Sequence, residues 1–377
     1  MKLMDNAFAV LGAMPADNRV ILNEKADEAA LLGDGDAEAA LTRLMQMNRR
    51  IPVELGWFPG ATREAASAFL DYARALSEGR HMGVPPLEGL GTPLAQANAL
   101  SALFEIWPVE DGEMYIALCR ALDSILSQVT AEETLRAINA DREAGRWETI
   151  PDAVTLNEPL NERLRDLCQP VSQAASALST KAVASALDAL NGPTGIDPLG
   201  SVAQAVGNAY SMRIHEEAGE LRDSILAEAG RLGNGPRVSE SEMSAIRGKT
   251  DRWCALTAPL RLQPGVFRNE AKNIGHGVRN VLVNYINKAT PEKKKKTVYV
   301  PVHNGTRVVT FEYNSQSVNV KKAIDVNKWL RVAFPEQLEL LERLKDDDIQ
   351  LNQMLKNEEN MVSNAETEAF RRGLVGR

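Results

Sequence analysis

Lys293, Lys294, Lys295 and Lys296, with Arg307, Lys321 and Lys322 following, form the densest cluster of like charge in the chain. Residues 261–330 hold thirteen basic side chains against four acidic ones, although the whole chain carries a formal charge of −8. Clustered ammonium and guanidinium groups bind phosphates or carboxylates, so this segment is a candidate surface for nucleic acid or an acidic protein. The competing reading is a solvated lysine-rich loop, or positive charge packed against the chain's own acidic part. A run of like charge is more often a solvated turn than a binding site.

No other constellation completes a chemistry. Ile274-Gly275-His276-Gly277 sets a histidine between two glycines, which could let backbone approach a ligand. No acid or second histidine completes a site there, and a turn or helix interruption is expected. His215-Glu216-Glu217 lies within a helical pattern, but position 219, where a zinc-protease helix needs its second histidine, is glycine. Gly192 to Gly200 lacks the Gly-Lys-Ser/Thr of a phosphate loop, and Gly12 lacks the spacing and preceding strand of a dinucleotide fingerprint. Cys119, between Ile116-Ala117-Leu118 and Ala121-Leu122, reads as core packing, and no serine or cysteine sits in a nucleophile signature. Trp107, Trp147, Trp253 and Trp329 read as packing anchors rather than stacking platforms. The sequence therefore predicts a non-enzyme with no catalytic residue, no metal ligand and no cofactor.

The setting of these residues follows from composition. With 377 residues, 44% hydrophobic and 25% charged, the chain has room for a sizeable core and roughly two to three domains. Its net charge argues against a wholly basic nucleic-acid binder. Cys119, Cys168 and Cys254 are widely spaced and odd in number, which argues against a disulfide frame and for a reducing cytoplasm. No apolar run approaches the ~20 residues of a membrane span. Met1 to Leu11 carries Asp5 within its first apolar stretch, so a secretion signal is not expected.

Aromatics make up 5% of the residues, which favours helix over sheet. Leu160, Leu164, Leu167, Val171, Ala174, Leu178, Leu187 and Leu190 share a helical face, with Pro170 expected to break it. Val202, Val206, Tyr210, Ile214, Ala218, Leu221, Ile225 and Leu232 form a second stripe, and such stripes call for helices packed on helices. Thr130-Ala131-Glu132-Glu133 reads as a capping box. Gly83 to Pro93 reads as a connector. Asn191-Gly192-Pro193 through Pro198, and Gly233-Asn234-Gly235-Pro236, read as helix stops. One segment departs from the helical pattern. Thr297 to His303 and Thr306 to Tyr313 alternate β-branched and aromatic residues around Asn304-Gly305, the mark of a hairpin with a type I′ turn. Pro301 should sit where no ladder donor is required. Val326 to Phe334 and Glu336 to Lys356 read as helices. Asn357 to Arg377 is polar and reads as a frayed tail, whose removal should leave the melting temperature unchanged.

Near the N-terminus, Asn6-Ala7-Phe8-Ala9-Val10-Leu11-Gly12 is followed by helical stretches at Asp17 to Leu32 and Asp36 to Arg50, the latter ending in Asn48-Arg49-Arg50. Residues 5–60 resemble a divergent J-domain, the small helical module of J-domain co-chaperones. From the residues alone, the stretch is a helical hairpin with Val20, Ala26 or Ala30 facing Leu41, Leu44 and Met45. Active J-domains carry His-Pro-Asp between their second and third helices, whereas this chain has Gly33-Asp34-Gly35-Asp36. Their second helix is usually basic. Asp17 to Leu32 has Arg19 and Lys25 against Asp17, Glu24, Asp27 and Glu28, the wrong complement for an acidic chaperone surface. The resemblance thus implies the fold without the ATPase stimulation.

The fold expected is mainly α, with a J-like module at 1–60 and a helical body at 61–290, sub-divided near 192–200. A basic hairpin with C-terminal helices follows at 291–356, and a flexible tail at 357–377. The function expected is that of a non-enzymatic adaptor or scaffold in a bacterial-type cytoplasmic assembly. Its partners would be other proteins, with nucleic acid at the 261–330 region as the alternative and no membrane. A co-chaperone that has lost ATPase stimulation is the third reading.

Overall fold

The computed structural model describes residues 3, 5–33, 35–80, 84–106, 112–190, 201–235, 238–260 and 267–375. The expected helix stop at Asn191 to Pro198 lies outside these residues, as do Gly83, Trp107, Pro236 and Arg261. The chain is mainly α-helical with one two-stranded antiparallel sheet near the C-terminus, and it divides into two compact units.

The first unit comprises Met1–Arg213 and Pro259–Gln263. Its helices are α1 (Ala7–Val10), α2 (Arg19–Leu31), α3 (Ala37–Met45), α4 (Met47–Leu55), α5 (Arg63–Ser77), α6 (Pro93–Ile106), α7 (Gly112–Leu126), α8 (Ala131–Ala144), α9 (Ala153–Asp166), α10 (Gln169–Ala175) and α11 (Thr180–Leu190). The first turns of α12 (Ser201–Asn234) also belong to it. Side-chain caps start many of them. Asn18 accepts from the amides of Val20 and Ile21, Thr62 from Ala65, Thr130 from Glu133 and Asp152 from Thr155, which satisfies amides a helix start otherwise leaves unpaired. The break expected at Pro170 is present: α9 ends at Asp166, and Pro170 falls at the start of α10.

Two local expectations need correction. The helix expected over Asp36 to Arg50 is two helices, because Gln46 takes an extended conformation between α3 and α4. The pairing of α2 with α3 uses Leu22 and Ala26 against Ala37, Ala40 and Leu44, while Val20 and Ala30 are exposed. Few as the aromatics are, several concentrate here. Phe8, Trp57, Phe58, Phe69 and Tyr72 form a chain with successive ring centroids 6.0, 4.9, 5.6 and 6.4 Å apart.

The second unit comprises Ile214–Ala258 and Pro264–Arg377. After the rest of α12 it contains α13 (Glu240–Thr257), α14 (Arg268–Asn287), β1 (Glu292–Val302), β2 (Gly305–Ser315), α15 (Ser317–Ala333) and α16 (Leu338–Val375). Ser239 and Glu242 form a reciprocal capping box that starts α13. The core gathers Ile225, Leu232, Ile246, Trp253, Ile274, Val278, Val281, Leu330, Phe334, Leu340 and Leu344.

Gly275-His276-Gly277 lies inside α14 rather than at a turn. The glycines serve helix packing. A Cβ on Gly275 would sit 2.5 Å from Leu340 Cδ2 and 3.5 Å from Phe334 Cδ2, so a larger residue there requires the Leu340 side chain to move.

Candidate functional site

The hairpin and the end of α16 form an arm beside the second core. Each strand has eleven residues, so the ribbon is roughly 35 Å long at ~3.3 Å per residue. The register pairs Glu292 with Ser315 and Val302 with Gly305, leaving His303 and Asn304 as the two-residue loop. The turn is therefore one residue earlier than Asn304-Gly305. It is also not type I′, because only Gly305 has positive φ, at 133°.

Paired residues share a face, so the register divides the ribbon in two. One face meets α16. Val300 is buried there, and Val298, Val309, Phe311 and Tyr313 are half-buried, with the rings of Phe311 and Tyr313 6.1 Å apart. Glu358 accepts from Ser315 Oγ at 2.6 Å and from the Gln316 amide at 2.8 Å, Glu366 pairs with Lys296, and Gly373 abuts Val300. A Cβ on Gly373 would fall 2.5 Å from Val300 Cγ2. The expected tail thus forms, as far as Val375, the last turns of α16. The opposite face is exposed throughout: Lys293, Lys295, Thr297, Tyr299 and Pro301 on β1, beside Asn314, Glu312, Thr310, Val308 and Thr306 on β2. Tyr299 is 68% exposed and its register mate Val308 57%, an apolar pair bordered by the Thr297–Thr310 hydrogen bond of 3.1 Å.

The predicted basic residues are distributed over this frame. Lys293 to Lys296 lie in β1 and not in a loop, because their cross-strand partners and α16 hold them extended. Lys294 bonds Ser317 Oγ at 3.3 Å and lies 3.7 Å from Glu292. Lys295 meets Glu312 at 2.7 Å, and that hydrogen bond raises its pKa. Lys322 pairs with Glu240. Lys293, Arg307 and Lys321 are exposed without an ion pair among the described residues. The hairpin and the α16 segment from Glu358 onward hold seven basic residues and six acidic ones, so the arm itself is nearly neutral, while Lys321, Lys322 and Lys328 of the basic stretch lie outside it on α15.

A second cluster was hidden from the sequence. In the first unit, Glu54 lies between two guanidinium groups, 2.6 Å from Arg50 Nε and 2.7 Å from Arg142 Nη2. All three side chains are at most 1% exposed. Arg50 also donates to the carbonyls of Pro15 and Leu44 and lies 3.9 Å from the Trp147 ring centroid, while Arg142 donates to the Glu148 carbonyl. Burial lowers the Arg50 pKa and raises that of neighbouring Asp141, which accepts from the Gly60 amide. The cluster ties α4 to α8 and is closed to a substrate.

The remaining candidates take structural places. Burial pushes the Cys119 and Cys168 thiols up to about 12, so neither offers a thiolate near neutral pH. His215 is an exposed position on α12. Burial lowers the pKa of His276, which has Arg343, Glu339, Lys272 and Arg279 around it. Trp253 is buried, Trp147 donates to the Asp17 carbonyl, and Trp329 donates to Asp251 beneath Arg247. Among the described residues no helix is long and apolar enough to cross a membrane, and no group of three metal-ligating side chains gathers. No family model matches this chain, and neither does any curated protein or solved structure. What the arm offers chemically is a stiff, nearly neutral ribbon with an aromatic and an aliphatic side chain set among threonines.

Proposed function

We propose that the protein is a non-enzymatic adaptor or scaffold of a cytoplasmic multiprotein assembly, and that the exposed hairpin face is its contact surface. The observation that carries this reading is the charge balance of the arm, which leaves Tyr299 and Val308 as the surface's main resource. A nucleic-acid surface needs a net positive potential, and on the arm the glutamates of α16 largely cancel it. Protein contacts are built around exposed aromatic and aliphatic anchors of this kind.

The test compares wild type with Tyr299→Asp/Val308→Asp. Tagged full-length chains are purified from the native cell, and co-eluting proteins are quantified by mass spectrometry. A discrete set of proteins should be depleted several-fold in the variant. The same chains are titrated with duplex and single-stranded nucleic acid at two salt concentrations. An identical protein set for both chains would sink the adaptor reading. So would duplex binding whose logarithm falls by about 0.9 per phosphate contact for each tenfold rise in salt, and that is lost on changing Lys293 to Lys296 to Ala.

The J-domain resemblance adds a second proposal: residues 5–60, α1 to α4, form a J-like module that does not stimulate a chaperone ATPase. The missing His-Pro-Asp and the acid-rich α2 support this. The full chain should therefore leave the ATPase rate of a seventy-kilodalton heat-shock chaperone unchanged in single-turnover assays, and several-fold stimulation would overturn it.

A further inference from the structure

We propose that the outer edge of β2 is a self-association site, at which β2 of a second copy adds antiparallel about a two-fold axis to make a four-stranded sheet. The ribbon has two edges, and they are not chemically equivalent. β1 carries four lysines and Pro301, features that discourage another strand from adding. From Thr306 to Tyr313, β2 has neither lysine nor proline and reads Thr-Arg-Val-Val-Thr-Phe-Glu-Tyr, a sequence rich in β-branched and aromatic residues. Among the described residues, no backbone group of Gly305 to Asn314 bonds to anything except β1. One full row of alternating donors and acceptors is thus open at this edge.

The charges favour a second copy as the occupant. β2 holds one cation, Arg307, and one anion, Glu312, so two such strands meet without net repulsion. A two-fold axis at any residue from Val308 to Phe311 keeps Arg307 from facing Arg307 and Glu312 from facing Glu312. With the axis at Val309, Arg307 lies opposite the second copy's Phe311, and Val308 lies opposite its Thr310. Such an axis, perpendicular to the sheet, also preserves the faces. Both α16 helices then lie on one side, and the half-buried row of Val309, Phe311 and Tyr313 continues into its counterpart. Two added strands would also relieve the marginal stability of a lone pair. This site uses the edge of the ribbon and not its exposed face, so it stands independently of the adaptor reading.

The test is the mass of the full-length chain by sedimentation equilibrium across the micromolar range. Wild type should rise from 41.2 kDa toward about twice that value. Val308→Lys/Thr310→Lys puts two cations at the open edge and should weaken association by about tenfold or more. Tyr299→Lys/Thr297→Lys is the matched control. It alters the register mates on the same face, removes the same Thr297–Thr310 bond, and loads the other edge, so it should leave association unchanged. Hydrogen exchange gives a second readout free of substitutions: the β2 amides that point to the open edge should slow with concentration by more than any β1 amide. A monomer at every concentration overturns the proposal, and so does a dimer that both double variants weaken equally or that neither weakens.

Discussion

Glu54→Gln should cost about 3–5 kcal/mol, the usual penalty for removing one partner of a buried ion pair. The carboxylate is the one anion in direct contact with two guanidinium groups that water does not reach. Glutamine keeps the shape but supplies a single acceptor and no charge, so the two cations face each other across a neutral amide. In a unit of this size each kcal/mol lowers the melting temperature by about 2–4 °C, so a fall of roughly 6–20 °C is expected by calorimetry. The triple change Arg50→Met/Glu54→Leu/Arg142→Met should recover part of that loss. It removes the buried charges together, while the carbonyls of Pro15, Leu44 and Glu148 still lose their donors. A Glu54→Gln cost below about 1 kcal/mol would mean that the carboxylate is not what offsets these arginines.

That cluster was illegible in the sequence for a specific reason. Arg50 and Glu54 are four residues apart, which on a helix usually marks a surface pair worth a few tenths of a kcal/mol. Their burial depends on Arg142, 88 residues from Glu54, and on the ring of Trp147. No local pattern carries such a contact. The helical stripes were legible because burying a face requires periodicity. Val202, Val206, Tyr210, Ile214, Ala218 and Ile225 are all buried in α12, as their spacing requires.

The hairpin was legible from its alternation, but its extent and turn were not. Lysine disfavours strands, so four in a row read as a loop. Their extended state comes from partners distant in sequence, namely Glu312, Phe311 and Tyr313 across the ladder and Glu366 on α16. Moving a two-residue turn by one position shifts the pairing by two residues and leaves every side chain on its own face, so the alternation that marked the hairpin could not distinguish the two turns. The charge segregation was real along the chain, but on the hairpin itself it is nearly cancelled in space. Reading 261–330 by itself left out the glutamates that α16 brings alongside.

Ending the chain after Asn357 should release the arm, the reverse of what a frayed polar tail would do. Ala365, Ala369 and Gly373 recur every four residues, a small-residue stripe that hydropathy overlooks and that lets helix backbone come close to β1. Truncation removes the carboxylate that accepts from Ser315 and the Gln316 amide, the glutamate paired with Lys296, and the cover over Val300. Uncovering Val300 alone costs about 1.5–3 kcal/mol, and an unsupported two-stranded ribbon has little stability to lose. The core around Ile274, Leu330 and Leu344 keeps its cover, since the part of α16 that packs there ends near Leu355. The loss should therefore be local. By hydrogen exchange, amides of residues 292–315 should lose nearly all protection while those of α14 and α15 keep theirs. Gly373→Val tests the same contact without deletion, because its Cβ would overlap Val300 and force helix and strand apart at a cost of about 1–3 kcal/mol. Full protection of the ladder in the truncated chain would mean that β1 and β2 hold together without α16. The distinction matters for function, because a ribbon that needs this brace presents Tyr299, Val308 and the β2 edge in a fixed geometry only while the last turns of α16 are in place.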